Sequence, residues 1–309
     1  MKISVFGASG NVGSSAAFNI AIRKLADELV LIDNPRPDLV ALHAMDMNTA
    51  VTGQDMVVRV GHDEDIRGSD VVVVAAGSTQ FAASRLEVLP QNLPIIQDIS
   101  KKVRQFCPKA VVITATNPVC PLNYGMYRCI NLDRKQIIGY TYNDSIRFRM
   151  RLAQALGVPS SQVEGTVIGE HGDSQVLLFS SVRVKGRPVN ISEEMKQSLR
   201  RQVPDGQKVL EEFRVKTGRT AAWTTGVGLA EVCRAIVKDT GEVIPCSITL
   251  DGEYGCRGLS MSVPTVLGKG GVREILETKL ANDEQELLLS SIEVLKPYMK
   301  YVEELLHLC

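Results

Sequence analysis

Lys2-Ile3-Ser4-Val5-Phe6-Gly7-Ala8-Ser9-Gly10-Asn11-Val12-Gly13 opens the chain, and the change of character at Gly7 decides the fold. The run Ile3 to Phe6 is short, apolar and rich in branched side chains, as a buried strand should be. Three glycines at a spacing of three follow, and then a helical pattern over about 13–26. The strand pattern returns at Leu29–Ile32, Val57–Val60, Val71–Ala76 and Ala110–Thr114, with a weaker example at Ile137-Ile138. Helical patterns at about 37–52, 84–106 and 120–130 fill the gaps. Strand–helix alternation of this kind predicts a doubly wound parallel sheet of Rossmann type with right-handed crossovers.

The second half has another rhythm. It predicts a helix over 144–157 and strands at 163–168, 175–184 and 188–189. Two long helices follow at about 192–215 and 219–239, then a hairpin (244–250 with 259–266) and a terminal helix over about 282–307. The chain therefore reads as α/β: a nucleotide-binding Rossmann domain over residues 1–142, then an α+β catalytic domain over 143–309 with antiparallel strands and long helices.

Bulk properties narrow the function classes. Lys+Arg and Asp+Glu are 35 each, and no basic block is present, which argues against a nucleic-acid footprint. No segment approaches the apolar length of a membrane span. The first residues are too short an apolar run for a signal sequence. The 7 cysteines are scattered without a Cys-x-x-Cys pair, so neither a disulfide framework nor a metal site is expected. A cytoplasmic protein acting on small diffusing molecules is the expectation.

In the context strand–loop–helix, the glycines acquire distinct tasks. Gly7 permits a tight turn, Gly10 lets the backbone approach a pyrophosphate, and Gly13 lets helix and strand pack closely. Asn11 and Val12 lie in the same loop. Asp33 ends the second strand, where a carboxylate accepts ribose hydroxyls and repels a 2′-phosphate, so NAD is expected before NADP. Arg36, three residues on, leaves NADP open.

Of the 4 histidines, only His171 sits in a motif, Gly169-Glu170-His171-Gly172-Asp173-Ser174. A side chain that titrates near neutrality, backed by a carboxylate, suits proton transfer to a developing alkoxide. Asp144 and Arg147 are three apart at a helix start and share one face, so one can orient a histidine while the other forks onto a substrate carboxylate. Asn117-Pro118-Val119 and the segment from Gly77 to Arg85 follow strands at the carboxyl edge of the sheet, where ligands bind in open α/β folds. Arg85 is placed to close over a substrate and polarise its carbonyl.

Together these residues, with Asn92 and the run Asp144-Ser145-Ile146-Arg147-Phe148, resemble the lactate/malate dehydrogenase family, and the resemblance covers the whole chain. The opening and Val163-Glu164-Gly165-Thr166 look closest to the archaeal-type malate dehydrogenases. The resemblance implies a reversible hydride transfer between NADH and a small 2-oxo acid, in a homodimer or homotetramer. It implies His171 as acid/base with Asp144 behind it, Arg147 on the substrate carboxylate and Arg85 on the carbonyl. Gly77, Asn92 and Asn117 join the cofactor residues, and Asn117 also the substrate residues.

The chain departs from that pattern in the loop after the fourth strand. Malate-type members read Gly-x-Pro-Arg-Lys-x-Gly-Met-Ser/Thr-Arg there, and their first Arg pairs with the second carboxylate of oxaloacetate. Here Gly77-Ser78-Thr79-Gln80-Phe81-Ala82-Ala83-Ser84-Arg85 is one residue shorter and has no cation between its ends. The discriminating position falls on Thr79 or Gln80, and Gln80 is the lactate-type choice. An unpaired buried carboxylate is costly, so a lactate-like or larger apolar 2-oxo acid is expected ahead of malate. Cys120 stands where the family has Asp after Asn-Pro-Val, Asn143 where it has Leu, and Ala221 where lactate-type members have Thr. A dinucleotide-binding sensor or assembly subunit with impaired catalysis is the alternative from another class.

Overall fold

The structure, a computed structural model, describes residues 1–78 and 85–307, apart from the side chains of residues 85–87, 207, 211 and 307. The first half alternates as the sequence predicts: β1 (Lys2–Phe6), α1 (Asn11–Ile22), β2 (Glu28–Ile32), α2 (Pro37–Ala50), β3 (Val57–Val60), β4 (Val71–Val74), α3 (Arg85–Phe106), β5 (Val111–Thr114), α4 (Val119–Ile130) and β6 (Ile137–Gly139). The six strands are parallel and lie in the order β6-β5-β4-β1-β2-β3. That order reverses at β1 and β4, which is where open α/β sheets bind ligands. The four valines of β4 are fully buried, because helices cover both faces of the sheet.

The second half contributes α5 (Tyr142–Leu156), β7 (Val163–Ile168), β8 (Val176–Val184), β9 (Arg187–Pro188), α6 (Glu193–Thr217), α7 (Trp223–Val237), β10 (Val243–Asp251), β11 (Arg257–Gly268), β12 (Gly271–Ile275) and α8 (Asn282–His307). Its antiparallel strands do not form one unit. β7, β8 and β9 make a separate three-stranded sheet, whereas β10 pairs antiparallel with β6, and β11 and β12 follow outward. The main sheet thus has nine strands and continues past residue 142. The edge strand β12 escaped the sequence reading, because Gly271-Val272-Arg273-Glu274-Ile275 is short and mostly polar or glycine on its outer half.

Two buried clusters result. The larger surrounds the nine-stranded sheet. The smaller joins α5 and α6 to β7 and β8 through Phe148, Leu152, Val167, Phe179 and Leu199. Phe148 and Phe179 meet edge to face at 5.3 Å, which fixes α5 against β8. α5 begins one residue after Thr141 at the end of the parallel sheet, so its first turn lies at the carboxyl edge. None of the helices among the described residues is long and apolar enough to cross a membrane.

Candidate active site

The glycine loop forms a close backbone crossing. Gly7 has φ +79°, and a Cβ there would stand 2.5 Å from the Ala76 nitrogen; a Cβ at Gly13 would stand 2.1 Å from the Gly7 oxygen. Gly10 caps α1, has no side chain to occupy the first-turn N–H groups, and no acidic residue follows it in that turn. The helix end is left open to an anion. Asp33 at the tip of β2 ties the loop down: its Oδ2 accepts from Ser9 N at 3.1 Å and Ser9 Oγ at 2.6 Å. A cradle that only glycine fits, with a carboxylate at its ribose end, suits NAD. Asn11 reaches across to Thr220 O (3.3 Å), so its side chain links the loop to the segment before α7. Arg36 is exposed at the start of α2.

His171 and Asp144 meet. His171 Nδ1 lies 2.6 Å from Asp144 Oδ2, and since a carboxylate only accepts, Nδ1 carries the proton and Nε2 faces outward. Asp144 is in the first turn of α5 and is 2% exposed. Arg147, one turn on, places Nη1 3.5 Å from the other carboxylate oxygen. One buried carboxylate therefore orients both the histidine and the arginine.

The loop that carries His171 is held at every step. Gly169 has φ +85° and forms a two-way bridge with Ser262 of β11 (2.9 and 2.8 Å). Glu170 N donates to Ser291 Oγ (2.8 Å). Its carboxylate accepts from Ser174 N (3.1 Å) and Ser174 Oγ (2.6 Å). Cys120, fully buried against the His171 backbone and Ser247, has its thiol pushed up to about 11 by burial, so it stays neutral. It serves as packing beside the histidine.

These groups open into one cavity of 790 Å³, whose walls include Val12, Asn117, Arg147, His171, Ala221 and Thr225. It runs from the glycine loop to the histidine, as a hydride donor and an acceptor side by side would require. Asn92 is placed otherwise than expected. It is 3% exposed; its Oδ1 accepts from Ser78 N (2.7 Å) and its Nδ2 donates to Asn117 O (2.8 Å). Its amide is used to clamp the loops after β4 and β5, and it does not line the cavity. Gly77 lies against it, 3.3 Å from Asn92 Oδ1 for a built Cβ. Arg85 opens α3, but its side chain lies outside the described residues, as do Thr79, Gln80 and the rest of the segment to Ser84. His43 binds Ala8 O at 3.3 Å under the glycine loop, away from the acid pair.

Residues 1–139 match the family model of the lactate/malate dehydrogenase NAD-binding domain, and residues 141–306 match that of its α/β C-terminal domain. The chain belongs to the lactate/malate dehydrogenase family. It is an NAD-dependent 2-hydroxy-acid dehydrogenase, with the Rossmann-type α/β architecture that its opening residues imply. The malate dehydrogenase of Haloarcula marismortui is 39% identical over 95% of this chain and 97% of its own. The L-lactate dehydrogenase of Thermus aquaticus is 36% identical over 96% and 97%. The Cryptosporidium parvum lactate dehydrogenase, solved with lactic acid and nicotinamide adenine dinucleotide, superimposes with a TM-score of 0.89 at 32% identity, covering 98% of each chain.

Sequence reasoning missed part of the cavity wall. Tyr140, Lys208, Leu210, Arg214 and Thr225 all line it. They come from the end of β6 and from α6 and α7, and no local motif marks them. Asn143, next to Asp144, and Ala221 are the wall residues that announced themselves as departures from the family pattern.

Proposed function

We propose that this chain interconverts an L-2-hydroxy acid and its 2-oxo acid, with His171 as acid/base, Asp144 as its positioning partner and Arg147 as the carboxylate anchor. The observation that carries this reading is the shared Asp144 carboxylate, which aims His171 and Arg147 at one cavity. NAD, when bound, supplies or accepts the hydride; Gly7, Gly10, Asn11, Val12, Gly13, Asp33, Gly77 and Asn117 would hold it, with Asn92 supporting the loops beneath. In the reducing direction Nε2 of His171 donates the proton to the carbonyl oxygen, and Asp144 holds the ring through both protonation states. Arg85, at the head of α3, is assigned to polarise that carbonyl, and Gln80 to contact the substrate side chain. Residues 1–142 and 143–309 form the cofactor and catalytic domains in this reading.

Two observations bear on the acid. The segment from Gly77 to Arg85 contains no cation between its ends, which supports a lactate-like or larger apolar substrate. Lys208 and Arg214 of α6 line the cavity, which supports a second reading, malate and oxaloacetate. A panel of pyruvate, 2-oxoisocaproate and oxaloacetate with NADH and with NADPH decides. Pyruvate or 2-oxoisocaproate ahead in kcat/KM supports the first reading, and oxaloacetate ahead supports the second. NADH binding without turnover on any of them would indicate a sensor and defeat both.

We also infer a homodimer or homotetramer. α1 packs against α7 and α2, and those two partners expose large apolar side chains, Leu42 at 60% and Met45 at 72% on α2 and Trp223 at 81% on α7. The cysteines, scattered along the sequence without a Cys-x-x-Cys pair, support a cytoplasmic protein.

A further inference from the structure

Three polar side chains on the cavity wall form a chain that ends at Thr225. Tyr140 follows β6, Asn143 is the second residue of α5, and Thr225 is the third of α7. The Tyr140 hydroxyl donates to Asn143 Oδ1 at 2.7 Å, and Asn143 Nδ2 donates to Thr225 Oγ1 at 2.7 Å. Gly228 makes room for this: a Cβ there would stand 1.9 Å from the Tyr140 hydroxyl.

The buried end sets the direction. Tyr140 is 2% exposed, and burial pushes its phenol well above the ordinary value, so the O–H remains a donor that needs an acceptor. The Asn143 carbonyl oxygen supplies one. Turning that amide over would set N–H against the phenol and leave the buried proton unpaired. With the amide so fixed, its N–H occupies a lone pair of Thr225 Oγ1. Thr225 then keeps one free role, that of donor, and among the described residues its hydroxyl donates to no acceptor. Its surroundings place this donor between the two halves of the site: the next residue, Gly226, packs on Ser15 of α1, while Asn143 adjoins Asp144.

We propose that Thr225 is a ligand-binding residue, a hydroxyl held donor-outward by Tyr140 and Asn143 for a carboxamide or carboxylate oxygen of the molecule in the cavity. Tyr140 and Asn143 are positioning residues that act through it. Two sources offer that oxygen, the nicotinamide carboxamide and the 2-oxo acid. The inference rests on the cavity holding NAD and a 2-oxo acid.

The test compares wild type, T225V, T225S and Y140F in the full-length protein. Kd for NADH is read from fluorescence titration, and KM and kcat from turnover of the best 2-oxo acid. T225V keeps the shape and removes the donor, so one constant should weaken about three- to tenfold. A weaker NADH Kd places the acceptor on the cofactor. An unchanged Kd with raised KM places it on the acid. T225S should restore the constant, and Y140F should move it in the same direction by a smaller factor. T225V unchanged in both constants overturns the proposal, and so does Y140F without effect where T225V has one. Wild type that fails to bind NADH would instead defeat the underlying assignment of the cavity.

Discussion

His171 and Asp144 are 27 positions apart in the chain and 2.6 Å apart in the fold. The contact joins the loop after β7 to the first turn of α5. A buried acceptor there can only be satisfied by a donor, so the imidazole is fixed in one tautomer before any substrate arrives.

Replacing either member separates orientation from chemistry. H171N should lower kcat by about 10²–10⁴-fold while leaving the NADH dissociation constant near that of wild type. D144N should lower kcat as well, because the amide can offer the ring a hydrogen where it needs an acceptor. Steady-state rates paired with NADH titration check this; near-normal kcat in H171N would remove the histidine from the mechanism.

Gly13 touches the backbone of Gly7 with no room for a side chain. G13A should destabilise the fold by about 1–3 kcal/mol through overpacking and weaken NADH binding, since the cradle must widen. Thermal unfolding and NADH titration read the two effects. A variant with unchanged stability and affinity would show that the crossing is not needed.

The exposed apolar side chains of α2 and α7 should be covered by a second copy. Light scattering is expected to give a mass at least twice the 33.7 kDa of one chain. Leu42 and Met45 lie one turn apart on the same face of α2, so the double change L42E/M45E should shift the mass towards one chain. A wild-type mass of one chain would refute the assembly.

Glu253 carries a pH signature. Partial burial alone would raise its pKa, but bonds from Arg134 and from backbone N–H groups outweigh this and hold it down to about 2. Arg134 grips both carboxylate oxygens, Nη2 at 2.6 Å and Nη1 at 3.2 Å, and also Thr249 O at 3.0 Å. A depressed folded-state pKa gives stability that is present above about 4.5 and lost as pH falls towards about 2. E253Q should therefore melt below wild type at neutral pH, with the gap closing on acidification. A gap that stays constant with pH would mean that the charge contributes nothing.

The sequence by itself determined the Rossmann half, because buried parallel strands are continuous apolar runs and glycines at a strand–helix junction have few other uses. It also determined which histidine to follow, since Gly169-Glu170-His171-Gly172-Asp173-Ser174 is local and the histidine is the only one so placed. Asp144 and Arg147 were legible as a helical pair for the same reason: three residues on a helix always share a face. Tertiary structure alone decided that one carboxylate serves both His171 and Arg147, that Asn92 clamps loops, and that β10 to β12 extend the first sheet. It alone brought Tyr140, Asn143 and Thr225 into line and set Lys208 and Arg214 on the cavity wall. Asn143 and Thr225 alone are 82 positions apart, and no period of 2 or 3.6 residues encodes such relations. They exist only once burial has packed β6, α5, α6 and α7 around one space.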